Sequence, residues 1–294
     1  MSESSNNDAV NPVFDQYGPA LVEALRENVR AAIAEDVGTG DWTGQLVPAD
    51  KQAHARVIVR EDAVLCGQPW FDACMQAVDP RLQVRWLQQE GARMAADSVV
   101  CEIDGPARSL LTAERPSLNF LQLLSGVATA TRRYADLVVG TRARVLDTRK
   151  TLPGLRLAQK YAVKIGGGDN QRLALYDGIL IKENHIAAAG GVTAALRAAA
   201  ALNAGVPVQV EVESLVELEE ALAAGAVSIL LDNFTEPMMR EAVRVNRGRA
   251  VLEVSGGVNA NTIRRFAETG VDRISVGALT KDVRATDYSL RIIG

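Results

Sequence analysis

The chain has 294 residues, of which 48% are hydrophobic and 23% charged, with a formal net charge of -4. This is ordinary globular composition, with apolar material for one large core or two smaller ones. The acidic balance does not favour a long polyanion such as DNA, and no run of about 18 apolar residues exists to span a membrane.

Residues 1–12, MSESSNNDAVNP, are polar and acidic and lack an apolar segment, so they read as a disordered arm and not as a signal peptide. Cys66, Cys74 and Cys101 form no CxxC pair and read as buried thiols of a cytoplasmic protein. His54 and His185 are the only histidines, and no zinc-binding spacing occurs.

Ala20 to Glu35 carries Leu21, Leu25, Val29 and Ile33 at helical spacing, and the glycines of DVGTGDWT, residues 36–43, end it. His54 to Leu65 alternates like one half-buried strand. Pro69 to Val78 reads as a helix, and Leu82 to Leu87 and Ser98 to Ile103 read as strands. Arg108 to Val139 is a long helical stretch with candidate breaks at Pro116 and Gly126.

Beyond residue 140 a rhythm sets in. Short apolar strands are expected at Arg144–Leu146, Gly178–Ile181, Val208–Val210, Ser228–Leu231, Val251–Leu252 and Arg273–Val276. Helical stretches separate them: Leu155–Lys164, Val192–Asn203, Leu215–Ala224, Glu236–Val245 and Asn261–Thr269. Such alternation implies parallel βαβ units, which either close into a barrel or form an open doubly wound sheet.

Polar groups follow every strand. They are Asp147-Thr148-Arg149-Lys150, then Lys182-Glu183-Asn184-His185, then Glu211 and Glu213, then Asp232-Asn233, then Ser255-Gly256-Gly257 after Glu253, and finally Gly277-Ala278-Leu279-Thr280. One polar loop after a strand means little. A whole set in register points to a site, because a parallel barrel gathers its carboxyl strand ends on one face. Glycines after the last two strands suit a phosphate held by backbone N–H groups, although tight turns use glycine too. Arg149, Lys150, Arg172 and Lys182 suggest a substrate with several anionic groups, each charge-assisted contact contributing roughly 1.5–3 kcal/mol. Glu211 and Asp232 would then hold Mg²⁺ or face a carbocation at a ribose C1, unless they merely pair with the cations.

These strings, in order, resemble the quinolinate phosphoribosyltransferase family. The likeness rests on DTRKTLPGLR at 147–156, Gly166-Gly167-Gly168 with Asn170 and Arg172, IKENH at 181–185, VEVE at 210–213 and LDN at 231–233. It extends to SGG at 255–257, VGALT at 276–280, EDVGTGD at 35–41 and TAERP at 112–116. The resemblance implies an N-terminal α+β open sandwich, over 13–118 and completed by 285–294, and an incomplete parallel α/β barrel over 119–284. It implies a homodimer in which Arg115 reaches the neighbouring active site. It implies quinolinate and phosphoribosyl pyrophosphate as substrates, with Mg²⁺ at Glu211 and Asp232. Arg149, Arg172 and Lys182 would bind the quinolinate carboxylates, with Lys150 beside them and beside the pyrophosphate. Ser255, Gly256, Gly257, Gly277, Ala278 and Lys281 would bind phosphate. Gln171, which stands where the family commonly has histidine, would be a further substrate contact. Gln can donate a hydrogen bond there but cannot carry a proton. A relative using another pyridine base, a Schiff-base aldolase working through Lys182, and a non-catalytic phosphate-ligand sensor are the alternatives.

Overall fold

A computed structural model describes residues 18–293. The arm expected at residues 1–12 lies outside them. In chain order the elements are α1 (Gly18–Val37), β1 (Gln52–Val59), β2 (Ala63–Val64), α2 (Gln68–Val78), β3 (Gln83–Trp86), β4 (Arg93–Met94), β5 (Val99–Pro106) and α3 (Ala107–Leu137). Then come β6 (Arg144–Leu146), α4 (Arg156–Ile165), β7 (Ile179–Ile181), α5 (Glu183–Ala189), α6 (Val192–Ala201), β8 (Val208–Val212) and α7 (Leu215–Ala223). The last are β9 (Ser228–Asp232), α8 (Glu236–Asn246), β10 (Val251–Ser255), α9 (Ile263–Ala267), β11 (Arg273–Ser275), α10 (Ala278–Lys281) and β12 (Tyr288–Ile292).

The chain forms two compact units, the first from residues 18–129, Pro153–Ile165 and 284–293, the second from Ala130–Leu152 and Gly166–Val283. The boundary expected at 118/119 falls inside α3.

The first unit holds an antiparallel sheet in the order β12-β1-β5-β3 and a short β2-β4 pair. Ala53, Ala55, Val57 and Val59 of β1 are buried in alternation, as the sequence pattern requires. They pack with Leu110, Ala113, Leu118 and Leu121 of α3. The strand expected over His54–Leu65 is two strands. The chain turns at Glu61 and Asp62, whose carboxylates accept from Asp287 N (3.1 Å) and Ala96 N (2.9 Å). Helix α3 is unbroken over 31 residues despite Pro116. Its buried leucines outweigh a proline cost of about 3 kcal/mol, since each buried leucine contributes roughly 1.5–3 kcal/mol. Helix α4, expected as a barrel helix, packs in this unit. Its Tyr161 ring lies 5.5 Å from that of Trp70, and its hydroxyl donates to Glu90 at 2.9 Å.

The second unit is a six-stranded sheet in the order β6-β11-β10-β9-β8-β7, parallel throughout. Helices α6 and α7 pack on its outer face. The sequence reading missed α5 and α10, each too short to show a helical period. Among the described residues no helix is long and apolar enough to cross a membrane.

Gly126 shows why a helix interior carries glycine. A Cβ there would collide with the Arg284 carbonyl oxygen, a backbone atom of the returning chain. Nearby, Thr286 N donates to Gln122 O at 2.9 Å and leads into β12. Gly126→Ala is therefore expected to destabilise the first unit by about 1–3 kcal/mol, read as a lower urea midpoint.

Candidate active site

Strand register decides which side chains share the inner face. Leu180 lies beside Gln209, Glu211 beside Leu230, Leu230 beside Glu253, Ser255 beside Asp232, and Ser275 beside Leu146. Residues two apart on a strand point the same way. Gln209 and Glu211 on β8, Asp232 on β9, Glu253 and Ser255 on β10 and Ser275 on β11 therefore share one face. Barrel interiors are ordinarily filled with branched apolar side chains, so this polar set stands out.

The sheet must curl. Asp169 pairs with the open edge of β6, its N–H donating to Val145 O at 2.8 Å and its C=O accepting from Asp147 N at 3.2 Å. Two residues on, Gln171 Nε2 donates to Gln209 Oε1 on β8 at 2.8 Å. In a flat sheet β8 would lie four strand spacings from β6, roughly 19 Å away. The hydrogen bond thus requires an incomplete barrel, with β6 and β7 as its edges.

At the mouth, Lys182 follows β7 and caps α5. Its N–H donates to His185 Nδ1 at 3.0 Å, while its Nζ lies 3.1 Å from Glu211 Oε2. Asp232 ends β9 beside Ser255 at the end of β10. The chain then bends through Asn233 at φ 55° and Gly256 at φ 90°. A Cβ on Gly256 would fall 2.5 Å from Asn233 Oδ1, so that side chain would have to give way, but it is the positive φ that favours glycine there. Lys150 is anchored beside the last strand, where Thr280 Oγ1 donates to its carbonyl at 2.8 Å. Its Cδ stands 3.2 Å from where a Cβ on Gly277 would be, just before Ala278 opens α10.

Arg172 and Arg149 form a second group. Arg172 Nη1 donates to Gly178 O at 2.9 Å. Burial first, and the Arg149 charge next, push the Arg172 guanidinium below its ordinary value. Arg149 Nε is buried and meets no hydrogen-bond partner among the described residues. Two partly desolvated like charges with an unsatisfied donor favour an anionic partner.

Other expected residues lie differently. Lys281 is exposed and pairs with Asp282 at 3.4 Å. Gln171 turns into the barrel. Glu213 is exposed, and its N–H donates to Glu217 Oε2 at 2.7 Å, in the cap of α7. Arg115 is exposed on α3, in the first unit. His54 pairs with Asp104 at 2.7 Å, so neither histidine supplies a barrel side chain. Sequence reasoning passed over Gln209 and Ser275, and named Glu253 only as the residue before Ser255-Gly256-Gly257, with no role. The readable signal was polar residues two apart in otherwise apolar strands, as in Gln209/Glu211 and Glu253/Ser255.

Glu211 is buried, and burial holds its carboxyl above the ordinary glutamate value. Lys182 pulls it back down, while Asp232 and Glu183 push it up. A divalent cation between the two acids would relieve that repulsion. Among the described residues no group of three or more metal-ligating side chains exists. A pair of hard carboxylates suits Mg²⁺, which takes few protein ligands and completes its shell with substrate oxygens and water.

Polar strand ends, clustered cations, two acids and a glycine turn at one barrel mouth define an enzyme class that handles polyanionic, phosphate-bearing substrates. The comparisons narrow the class. A family model described as the quinolinate phosphoribosyl transferase N-terminal domain matches residues 41–125, and the C-terminal domain model matches residues 127–291. The chain belongs to the quinolinate phosphoribosyltransferase family. A nicotinate-nucleotide pyrophosphorylase [carboxylating] of Mycobacterium leprae is 42% identical, the match covering 91% of this chain and 97% of that one. A probable nicotinate-nucleotide pyrophosphorylase [carboxylating] of Bacillus subtilis is 38% identical, covering 91% and 93%. The structure of the nicotinate-nucleotide pyrophosphorylase from Francisella tularensis superposes with TM-score 0.90 at 45% identity, covering 92% of this chain and 96% of that one.

Because Asp232 raises the Glu211 carboxyl, Asp232→Asn is expected to move the Glu211 titration to lower pH, followed by carboxyl-carbon NMR. The linkage sign follows. With its folded value raised, Glu211 holds a proton in the folded state longer than in the unfolded one. Its contribution therefore lowers stability as pH rises from the ordinary glutamate value to the raised one. Melting curves of wild type and Glu211→Gln should converge at the acid end of that window.

Proposed function

We propose that the chain transfers the phosphoribosyl group of 5-phosphoribosyl 1-pyrophosphate to quinolinate, with decarboxylation, to give nicotinate mononucleotide, pyrophosphate and carbon dioxide. The chain would thereby act as a carboxylating nicotinate-nucleotide pyrophosphorylase in NAD biosynthesis. The observation that carries this reading is the gathering of Lys182, Glu211, Asp232 and the Gly256 turn at one barrel mouth, in a chain whose family match spans both units.

Quinolinate and phosphoribosyl pyrophosphate are both anionic and repel one another. Arg149, Arg172 and Lys182 bind the two quinolinate carboxylates, and Lys150 lies between that group and the pyrophosphate. Ser255, Gly256, Gly257, Gly277 and Ala278 cradle the 5′-phosphate, with Lys281 adding charge from α10. The pyridine nitrogen attacks ribose C1, forming the N–C1 bond as the C1–O bond to pyrophosphate breaks. Positive charge building on the ribose ring faces Glu211 and Asp232. Lysine and arginine stabilise charge building on the leaving group. The same two acids would hold Mg²⁺, which supplies Lewis-acid stabilisation of the pyrophosphate oxygens when bound.

The new N–C1 bond leaves a cationic ring nitrogen. The adjacent carboxylate departs as carbon dioxide, its bonding electrons staying on the ring carbon, which then takes up a proton. The cationic nitrogen stabilises that carbanion. The chemistry thus rests on positioning and electrostatics rather than on a nucleophilic side chain.

The working form in this reading is a homodimer, with Arg115 of one copy reaching the barrel mouth of the other. Its support is the exposed position of Arg115 within the TAERP string. A cytoplasmic setting accords with three free cysteines, all buried.

One assay tests the activity. With quinolinate, phosphoribosyl pyrophosphate and Mg²⁺, nicotinate mononucleotide and carbon dioxide should appear in equal amounts, while nicotinate should not replace quinolinate. Absence of product with a native circular dichroism spectrum would overturn the reading. Lys182→Ala is expected to lower kcat/KM by roughly 10²–10³-fold with native-like melting. Turnover at the wild-type rate would remove Lys182 from the site. Inactive Arg115→Ala and Arg149→Ala subunits, once mixed, should regain activity through an intact composite site. Proven hybrids without recovery would count against a shared site.

A further inference from the structure

Behind the cations, toward the barrel interior, lies a chain of hydrogen bonds with a defined direction. Glu253 is fully buried on β10. Its Oε1 accepts from Ser275 Oγ, and its Oε2 accepts from Gln209 Nε2 at 2.9 Å. Gln209 Oε1 in turn accepts from Gln171 Nε2 at 2.8 Å. Gln171 Oε1 accepts from Arg172 N at 2.6 Å. Gln171 N is itself tied to Asp147 Oδ1 at 3.0 Å.

A primary amide has one end that donates and one that accepts, and it can flip. A carboxylate only accepts. Glu253 therefore obliges Gln209 to present its nitrogen inward and its oxygen toward Gln171. Gln171 must then present its nitrogen to Gln209 and its oxygen to the Arg172 N–H. If Gln209 were reversed, its nitrogen would meet that of Gln171. Reversing Gln171 as well would set its nitrogen against the Arg172 N–H, donor facing donor. One buried carboxylate thus sets the sense of two amides in series.

We propose that Glu253 is a positioning residue that orients Arg172 for quinolinate through Gln209 and Gln171, with Gln171 acting as a relay and not as a substrate contact. The proposal rests on the reading that Arg172 binds a quinolinate carboxylate. It also gives the glutamine at position 171 a role that needs no proton.

Glu253→Gln tests this, because it keeps the shape and removes the acceptor-only character. KM for quinolinate is expected to rise roughly 5- to 50-fold, KM for phosphoribosyl pyrophosphate to stay put, and kcat to change by a smaller factor. Gln209→Met, which breaks the relay at its next link, should give the same split, and it decides the matter if Glu253→Gln does not fold. In a Gln171→Ala background, adding Glu253→Gln should raise the quinolinate KM no further, since both act along one path. A purely structural role would instead give additive losses and move both KM values. Additive effects, or an unchanged quinolinate KM in a folded Glu253→Gln or Gln209→Met enzyme, overturn the relay. Arg172→Ala separates the two layers. A large rise in quinolinate KM there, with a silent Glu253→Gln, overturns the relay alone. No rise there overturns the Arg172 assignment, and the relay with it.

Discussion

A parallel sheet that stops at six strands has two open edges, and the mouth of this barrel depends on how one edge is held. Backbone bonds from Asp169 cover β6, and the side chain of Gln171 then reaches Gln209 on β8. In a flat sheet of the same strand order, Lys150 and Lys182 would be carried on opposite edges. The curl turns a row of strand ends into a ring. Only in a ring can cations from β6 and β7 serve one substrate with acids from β8 and β9.

Holding those charges close has a cost that the site does not relieve by itself. Arg149 and Arg172 oppose each other, and Arg149 leaves a buried donor unsatisfied. Glu211 is penalised by burial and by Asp232, with Lys182 its main relief. Each imbalance is of the sign that a bound partner would correct, a carboxylate or phosphate for the arginines and a metal cation for the acids. Unfavourable electrostatics of this kind in the free protein favour binding of groups of opposite charge.

The polar interior explains why so much of the barrel was readable and some of it was not. Strands β6 to β11 announce themselves as short apolar runs, because their outer faces are covered by helices. Position within the sheet is harder to read. Glu211 and Glu213 look equivalent in sequence, yet Glu211 lies within β8 and faces the barrel interior, while Glu213 has passed into the cap of α7. Helix α4 has the spacing of a barrel helix and packs with Trp70 instead, because its partners come from residues some ninety positions earlier (Trp70 against Tyr161). Pro116 looked like a break, but buried leucines along α3 outweigh it.

What the sequence determined alone was local or chemical: the strand–helix rhythm, the polar residue after each strand, the glycines that admit positive φ, and the ordered strings that mark the family. Those follow from backbone sterics, periodicity and residue type, which a linear chain carries in full. The tertiary structure alone decided which strand ends meet, which way Gln171 faces, and that Glu253 lies beneath the cations in a continuous hydrogen-bonded path. Those depend on register and curl. They are set by hydrogen bonds between residues tens of positions apart, and no local pattern encodes that pairing.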